Sequence, residues 1–491
     1  MTKKKLEYGD FQTPVELARD CCKTIQSLGC IPKTIIEPTC GYGNFLLAAA
    51  ECFGSAKKIY GFDINDEYIA QLKKRISPYL EDRVFPRVGN FFTMKWDSIL
   101  NTVESPLLII GNPPWVTSAQ LGLLASENLP EKKNFQKHYG LDALTGKSNF
   151  DISEWMLLKQ IEWLKGSSGT IAILCKTAVA RKILKTEWKK TQSLYNLRMY
   201  SIDATREFNS SVDACLFVCE SAKTHKNKDC AVFNSLHAKK PKLKIGYRNN
   251  YLVSNTEIFD NLKMLFGKDS FYTWRSGLKH DCSSVMKLTQ TSSGLINGFG
   301  DQVDIESEYI YPLFNSSDVA NGNQRKKKCY VIVTQKYIGQ ETDSIKYKAP
   351  KTWNYLQTYK PRLDKRGSKV YKRSPSFSIF GIGLYSFEPW KVAISGFYKH
   401  LYFKVIEPEN GKPCMVDDTV YFLGCRTEKE AKTLAKWLNS TMCQQFLGSM
   451  IFWKDKRPIT INLLERLNIR ELAKQHDEEA LYLQITENRR K

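Results

Sequence analysis

Between about residues 33 and 220 the chain alternates short β-branched runs with amphipathic stretches. A chain patterned this way folds as parallel strands joined by crossover helices, because each strand is apolar on both faces and needs a helix on each. The runs at 33–37, 58–63, 107–111 and 169–175 read as the first, second, fourth and fifth strands, and 44–52, 66–76 and 152–164 as crossover helices. Near the end of the region, 199–203 and 214–220 flank a polar turn and read as an antiparallel edge hairpin.

After residue 220 the rhythm stops. The segments 223–229 and 239–244 are polar and basic, and the rest mixes aromatic residues with Lys and Arg. With 491 residues to distribute, two domains are expected, 1–235 as an α/β unit and 236–491 as a mixed α+β unit. In 351–400, ten Lys or Arg face two acids among closely spaced aromatics, 428–448 reads as one packing helix, and 321–328 as a basic loop. The formal net charge of +22 calls for a polyanionic partner.

No run approaches the roughly 18 apolar residues of a membrane span, so no membrane partner is expected. The basic start Met1-Thr2-Lys3-Lys4-Lys5 leads into Leu6-Glu7-Tyr8 in place of an apolar signal core, so the cytoplasm is the expected compartment. Fourteen cysteines are scattered without the spacing of a zinc site; they read as reduced core residues, with no metal.

At the end of the first strand, Glu37-Pro38-Thr39-Cys40-Gly41-Tyr42-Gly43-Asn44-Phe45 joins an acid, a glycine-rich turn and a helix. Such a turn brings backbone close to a ligand. The Gly-Lys-Ser/Thr ending of a phosphate loop is absent, and so is the third glycine of a dinucleotide fingerprint. The second strand ends at Asp63-Ile64, 22 residues after Gly41, where a carboxylate can accept hydrogen bonds from two ribose hydroxyls. Gly89-Asn90-Phe91-Phe92 offers an amide and a ring to an adenine, although Phe91 or Phe92 suits a plain core equally well.

The apolar run Leu107-Leu108-Ile109-Ile110-Gly111 passes directly into Asn112-Pro113-Pro114-Trp115. Two prolines fix φ and make the turn a rigid acceptor. The Asn112 side-chain oxygen and the Pro113 carbonyl can accept both hydrogens of an exocyclic amine, leaving its lone pair aimed out of the ring plane, while Trp115 stacks on the base. The turn alone specifies a planar amino nitrogen, which DNA, RNA and a protein glutamine all contain.

These motifs, over residues 11–220, resemble the amino-group DNA methyltransferases, specifically the γ class of restriction-modification N6-adenine enzymes of the TaqI type. The resemblance implies a Rossmann-like, seven-stranded class I methyltransferase domain followed by a target-recognition domain, with S-adenosylmethionine as cofactor. It places Phe11-Gln12-Thr13-Pro14 at the methionine part of the cofactor. Glu37, Cys40, Gly41, Gly43, Asp63, Ile64, Asn90, Phe91 and Asn112 are likewise assigned to cofactor binding. It gives Asn112 to Trp115 as the catalytic tetrapeptide, Phe208 as a ring on the other face of a flipped base, and Lys147 to Asp151 as a motif before a helix beside the cofactor. The tetrapeptide ends in Trp where the family more often has Tyr or Phe. Trp274 to Asp281 resembles a segment at the start of the recognition domain. Arg275 and Lys279 are then candidates for phosphate, and Arg362, Lys365, Arg366, Lys372 and Arg373 for bases or backbone.

About ten residues precede the first motif and the C-terminal half lacks an Asp…Glu-x-Lys cluster, so cleavage is expected to belong to a separate cognate endonuclease, with the methyltransferase acting as a monomer on double-stranded DNA. RNA adenine, N4 of cytosine, a protein glutamine and a non-catalytic DNA-binding module remain the alternatives.

Overall fold

The computed structural model describes residues 12–116, 151–189, 194–221, 227–321 and 328–490. Phe11, residues 147–150 and most of the basic stretch 321–328 lie outside them. The chain divides into two compact units between Glu257 and Ile258.

The first unit is built on one sheet whose order is β10-β9-β8-β6-β7-β5-β4-β1-β2-β3. Strands β1 (Thr34–Glu37), β2 (Lys58–Asp63), β4 (Leu107–Gly111) and β5 (Gly169–Lys176) lie where the pattern predicts them. They pair in parallel, Ile35 opposite both Ile59 and Leu108. Both faces of β1 and β4 are covered, so their apolar runs are buried without alternation. Helices α1 (Val15–Ser27), α2 (Asn44–Cys52), α3 (Asp66–Arg75), α4 (Ile152–Trp163) and α5 (Thr177–Lys189) complete the layers. The start of α3 is set locally: the Asn65 side chain accepts from the Glu67 and Tyr68 N–H groups, with acids in the first turn and bases in the last.

The third strand, β3 (Val84–Val88), carries Pro86 in mid-strand, which hides it from the pattern. It forms the edge of the sheet beyond β2, where a missing N–H on the outer side breaks no ladder. Strands β6 (Leu194–Ile202) and β7 (Ala214–Ser221) form the expected antiparallel pair.

The boundary expected near residue 235 moves later, and the sheet exceeds seven strands. The basic stretch after 220 contains β8 (Asp229–Phe233) and β9 (Leu243–Arg248), followed by β10 (Tyr251–Val253). β8 pairs in parallel with β6, β9 pairs antiparallel with β8, and β10 with β9, so this segment extends the first unit's ladder.

The second unit contains a four-stranded sheet, order β11-β19-β16-β17, and a five-stranded sheet, order β13-β12-β15-β14-β18. These comprise β11 (Arg275–Ser276), β12 (Lys287–Thr291), β13 (Gly294–Ile296), β14 (Ile310–Phe314), β15 (Cys329–Ile332), β16 (Trp390–Ser395), β17 (Lys404–Ile406), β18 (Met415–Val416) and β19 (Val420–Cys425). The single helix expected over 428–448 is two helices, Glu428–Leu438 and Thr441–Gly448. The break is made by side chains: Asn439 exchanges hydrogen bonds with the Phe403 backbone, and Ser440 caps the second helix by accepting from Cys443 N–H. All fourteen cysteines are unbridged. Among the described residues no group of ligating side chains could hold a metal, and no helix is long and apolar enough to cross a membrane.

Candidate active site

β1 and β4 are neighbours whose following strands lie on opposite sides, so the sheet's order reverses between them, and a crevice opens at their C-terminal ends. A cleft lies there, lined by residues from the ends of β1 through β4 and from α4. Thr13, Glu37, Cys40, Gly41, Asp63, Ile64, Asn90, Phe91, Asn112 and Pro114 all border it.

The glycine turn is shaped by a backbone only glycine adopts readily. Gly43 has φ of +78°, and a Cβ there would stand 2.3 Å from Leu72 Cδ1 on α3. Gly41 N–H donates to Asp63 Oδ2 at 2.8 Å and Asn65 N–H to Asp63 Oδ1 at 2.9 Å, which fixes the carboxylate at the rim. The N-terminal segment closes over the turn. Tyr42 N–H donates to Gln12 Oε1 at 3.1 Å, and Asn44 Nδ2 donates to the Thr13 carbonyl at 2.7 Å. Thr13 Oγ1 also accepts from Asn112 Nδ2 at 3.2 Å, so one residue touches both the cofactor motif and the tetrapeptide.

Glu37 is buried behind the turn, and among the described residues its Oε2 has no hydrogen-bond partner. Burial, and then the neighbouring Asp63 carboxylate, push its carboxyl well above the usual range. Such an orphaned carboxyl group beside a second acid at the rim suits a ligand that combines positive charge with hydroxyl groups, as S-adenosylmethionine does.

At the end of the cleft bordered by Asn90, Phe91 and Phe92, the sequence is only partly informative. Asn90 Oδ1 accepts from Phe92 N–H at 2.9 Å, holding its own loop. Phe91 is buried among Trp96, Trp155 and Trp163, while the half-buried Phe92 also lines the cleft. The core reading of Phe91 therefore holds alongside its place in the cleft wall.

Pro114 reaches the cleft, and Trp115 turns into the core at 5% exposure, its Nε1 donating to the Leu174 carbonyl at 3.4 Å. Helix α6 (Ala204–Phe208) supplies Phe208, whose ring meets Trp115 edge to face, centroids 5.0 Å apart at 67°. A base sandwiched between two rings needs roughly 7 Å between them, twice the stacking distance, so these rings must part before a base can lie between them.

Lys176, the last residue of β5, was not singled out in the sequence. Its Nζ donates to the Trp115 carbonyl at 2.9 Å and to Asp151 Oδ2 at 2.6 Å. Asp151 in turn caps α4 by accepting from Ser153 N–H at 3.1 Å, so the tetrapeptide, β5 and α4 are joined through one ammonium. A lysine closing an apolar strand beside the switch point is the signal that could have found it.

Of the basic residues proposed for nucleic acid, Arg275, Arg362, Lys365, Lys372 and Arg373 are exposed and Lys279 is half-exposed beside Asp281. Arg366, in contrast, is buried rather than at the surface. At 7% exposure its guanidinium donates to the carbonyls of Leu363, Ser378 and His280 and lies 3.7 Å from the Tyr371 ring centroid. It ties loops together inside the second unit, because three buried carbonyls need a donor.

No family profile matches the chain. The type II methyltransferase M.VspI of Vibrio sp. is 26% identical over 181 residues, 35% of this chain and 38% of that protein. A solved type IIL restriction-modification enzyme, MmeI in complex with DNA, superposes with a TM-score of 0.49 at 13% identity, covering 87% of this chain; this chain spans 61% of that enzyme's length. The type II methyltransferase M.NspV of Nostoc sp. is 47% identical over 473 residues, 96% of this chain and 98% of that protein. Similarity of that extent, on a class I methyltransferase sheet with its cleft at the switch point, places the chain in the type II methyltransferases of restriction-modification systems, which take their methyl group from S-adenosylmethionine.

Proposed function

We propose that this enzyme methylates N6 of an adenine turned out of duplex DNA, as a γ-class modification methyltransferase acting as a monomer in the cytoplasm with its endonuclease on a separate chain. The observation that carries the reading is the Asn112-Pro113-Pro114 turn at the end of β4, in which Asn112 and Pro114 border the cleft and Asn112 is tied to Thr13. In this reading the unit after residue 257 recognises the target sequence and the cleft performs the chemistry.

S-adenosylmethionine supplies an electrophilic sulfonium methyl when bound. Asp63 would hold its ribose hydroxyls, Glu37 would face its cationic part, and Phe92 would pack on its adenine. The Asn112 Nδ2 bond to Thr13 turns the amide oxygen toward the incoming amine. That oxygen and the Pro113 carbonyl accept the two N6 hydrogens, so the lone pair leaves the purine plane and points along the transfer line. The N6 nitrogen would bond to the methyl carbon as the carbon–sulfur bond breaks, its electron pair staying on sulfur, and would release one proton to water. Separating Trp115 from Phe208 would admit the base, and its stacking would offset part of the few kcal/mol spent on leaving the helix.

The experiment is methyl transfer from tritiated S-adenosylmethionine to unmodified plasmid DNA, RNA and protein, followed by nucleoside analysis. Label in N6-methyldeoxyadenosine, abolished in Asn112→Ala while cofactor affinity is retained, is the expected result. Label confined to N4-methyldeoxycytidine, RNA or protein would overturn it.

A further inference from the structure

Phe299 is the most exposed phenylalanine among the described residues, at 42%. It stands at the tip of the loop Asn297-Gly298-Phe299-Gly300-Asp301, whose base is closed by a bridge between Ile296 and Gln302. The buried Asn297 holds the loop from inside. Its Oδ1 accepts from the N–H groups of Phe299 (2.9 Å) and Asp301 (3.1 Å), and its Nδ2 donates to Asp301 Oδ2 (3.2 Å) and the Tyr359 hydroxyl (2.9 Å). The Tyr359 hydroxyl donates to the same Asp301 carboxylate. The glycines on either side are both required: a Cβ on Gly298 would stand 2.6 Å from Ser284 Cα, and Gly300 has φ of +90°.

A loop so constrained prevents its phenyl ring from collapsing into the core, where the hydrophobic effect would otherwise draw it. The ring stacks on Tyr359, centroids 5.6 Å apart at 13°, and the exposed Arg362 guanidinium lies 4.5 Å from its centroid. Arg362 begins a stretch in which Lys365, Lys369, Lys372 and Arg373 are all exposed. Asp301, the loop's own carboxylate, is engaged by Tyr359 and Asn297.

We infer that this loop is a DNA wedge: Phe299 enters a groove and stacks at a base step while Arg362 pairs with the adjacent phosphate. The inference rests on the DNA-methyltransferase reading above. An apolar ring by itself fits a protein surface as well as a base, but a cation held against that ring within a basic stretch fits a polyanion with flat apolar faces.

The test uses the full chain and a linearised, unmodified plasmid, with filter retention measured across a salt series and melting temperature recorded for each variant. Phe299→Ala is expected to weaken plasmid binding about tenfold with no change in the slope of log affinity against log salt, because a phenyl ring displaces no counterion. Phe299→Trp is expected to bind as the wild type does, and Arg362→Gln to lower the slope by about 0.9, the value of one phosphate. Wild-type affinity in Phe299→Ala at unchanged melting temperature, an unchanged slope in Arg362→Gln, or a loss confined to self-association in sedimentation would each overturn the wedge. If Phe299→Ala does not fold, the tryptophan variant's affinity and the Arg362 slope decide. A wild-type protein that transfers no label to the plasmid would instead overturn the DNA reading itself, so the two failures are distinguishable.

Discussion

Lys176 and Glu37 are the residues on which the site depends in ways that go beyond the motifs. Lys176 holds the Trp115 carbonyl and the buried Asp151 together, so Lys176→Met removes the counter-charge of a buried carboxylate that keeps, among the described residues, only the Ser153 donors. We expect it to cost about 3 kcal/mol of stability, with half or more returned by adding Asp151→Asn, because the neutral amide removes the unpaired charge. Thermal melts would check the recovery, and single-turnover kinetics should show methyl transfer still slow in the double variant, since the turn remains untethered; full recovery of the rate would refute a positioning role. Glu37 makes a pH prediction. Its carboxyl is raised above the ordinary 4.5 by burial, so the folded state favours the protonated form. Its contribution is therefore fully present below pH 4.5 and is lost as pH rises through the raised value. At neutral pH Glu37→Gln should melt higher than the wild type without cofactor. A cationic ligand favours the ionised form, so calorimetric affinity for S-adenosylmethionine should tighten with rising pH in the wild type and stay flat in Glu37→Gln.

At the scale of elements, β1, β2, β4 and β5 lie where the pattern puts them, and β1, β2 and β4 each lead into a motif at the cleft. β3 was not legible, since Pro86 interrupts the run and only its edge position makes that harmless. The helix over 428–448 was read as continuous because apolar spacing persists across Asn439 and Ser440, while the break comes from bonds to Phe403, far away in sequence. The link between the glycine turn and α3 is tested by Gly43→Ala. With φ of +78° and Leu72 in the way, alanine should cost about 2 kcal/mol or more and weaken cofactor binding about tenfold or more. Denaturant melts and cofactor titration would read both; a neutral substitution would mean the turn relaxes freely.

For the whole molecule, two compact units meeting between Glu257 and Ile258 predict that the cofactor acts on one of them. At one hundred times its dissociation constant S-adenosylmethionine should stabilise the first unit by about 2.7 kcal/mol, seen in calorimetry as an upward shift of one transition with the other left in place. A single transition that shifts as a whole would show the units unfold together. What the sequence by itself determined was where the candidate site lies: an acid and glycines after one strand, an acid after the next, and Asn112-Pro113-Pro114 after a third are local arrangements, and a parallel sheet necessarily brings strand ends to one edge. What only the tertiary structure decided was everything set by partners remote in the chain. That includes the strands β8 to β10 hidden in a basic stretch, the burial of Arg366 among three carbonyls, the Trp115–Phe208 contact, and the lysine that braces the turn. A residue's type announces what it can bond; whether it faces solvent, core or cleft depends on which distant segments the sheet and its helices bring against it.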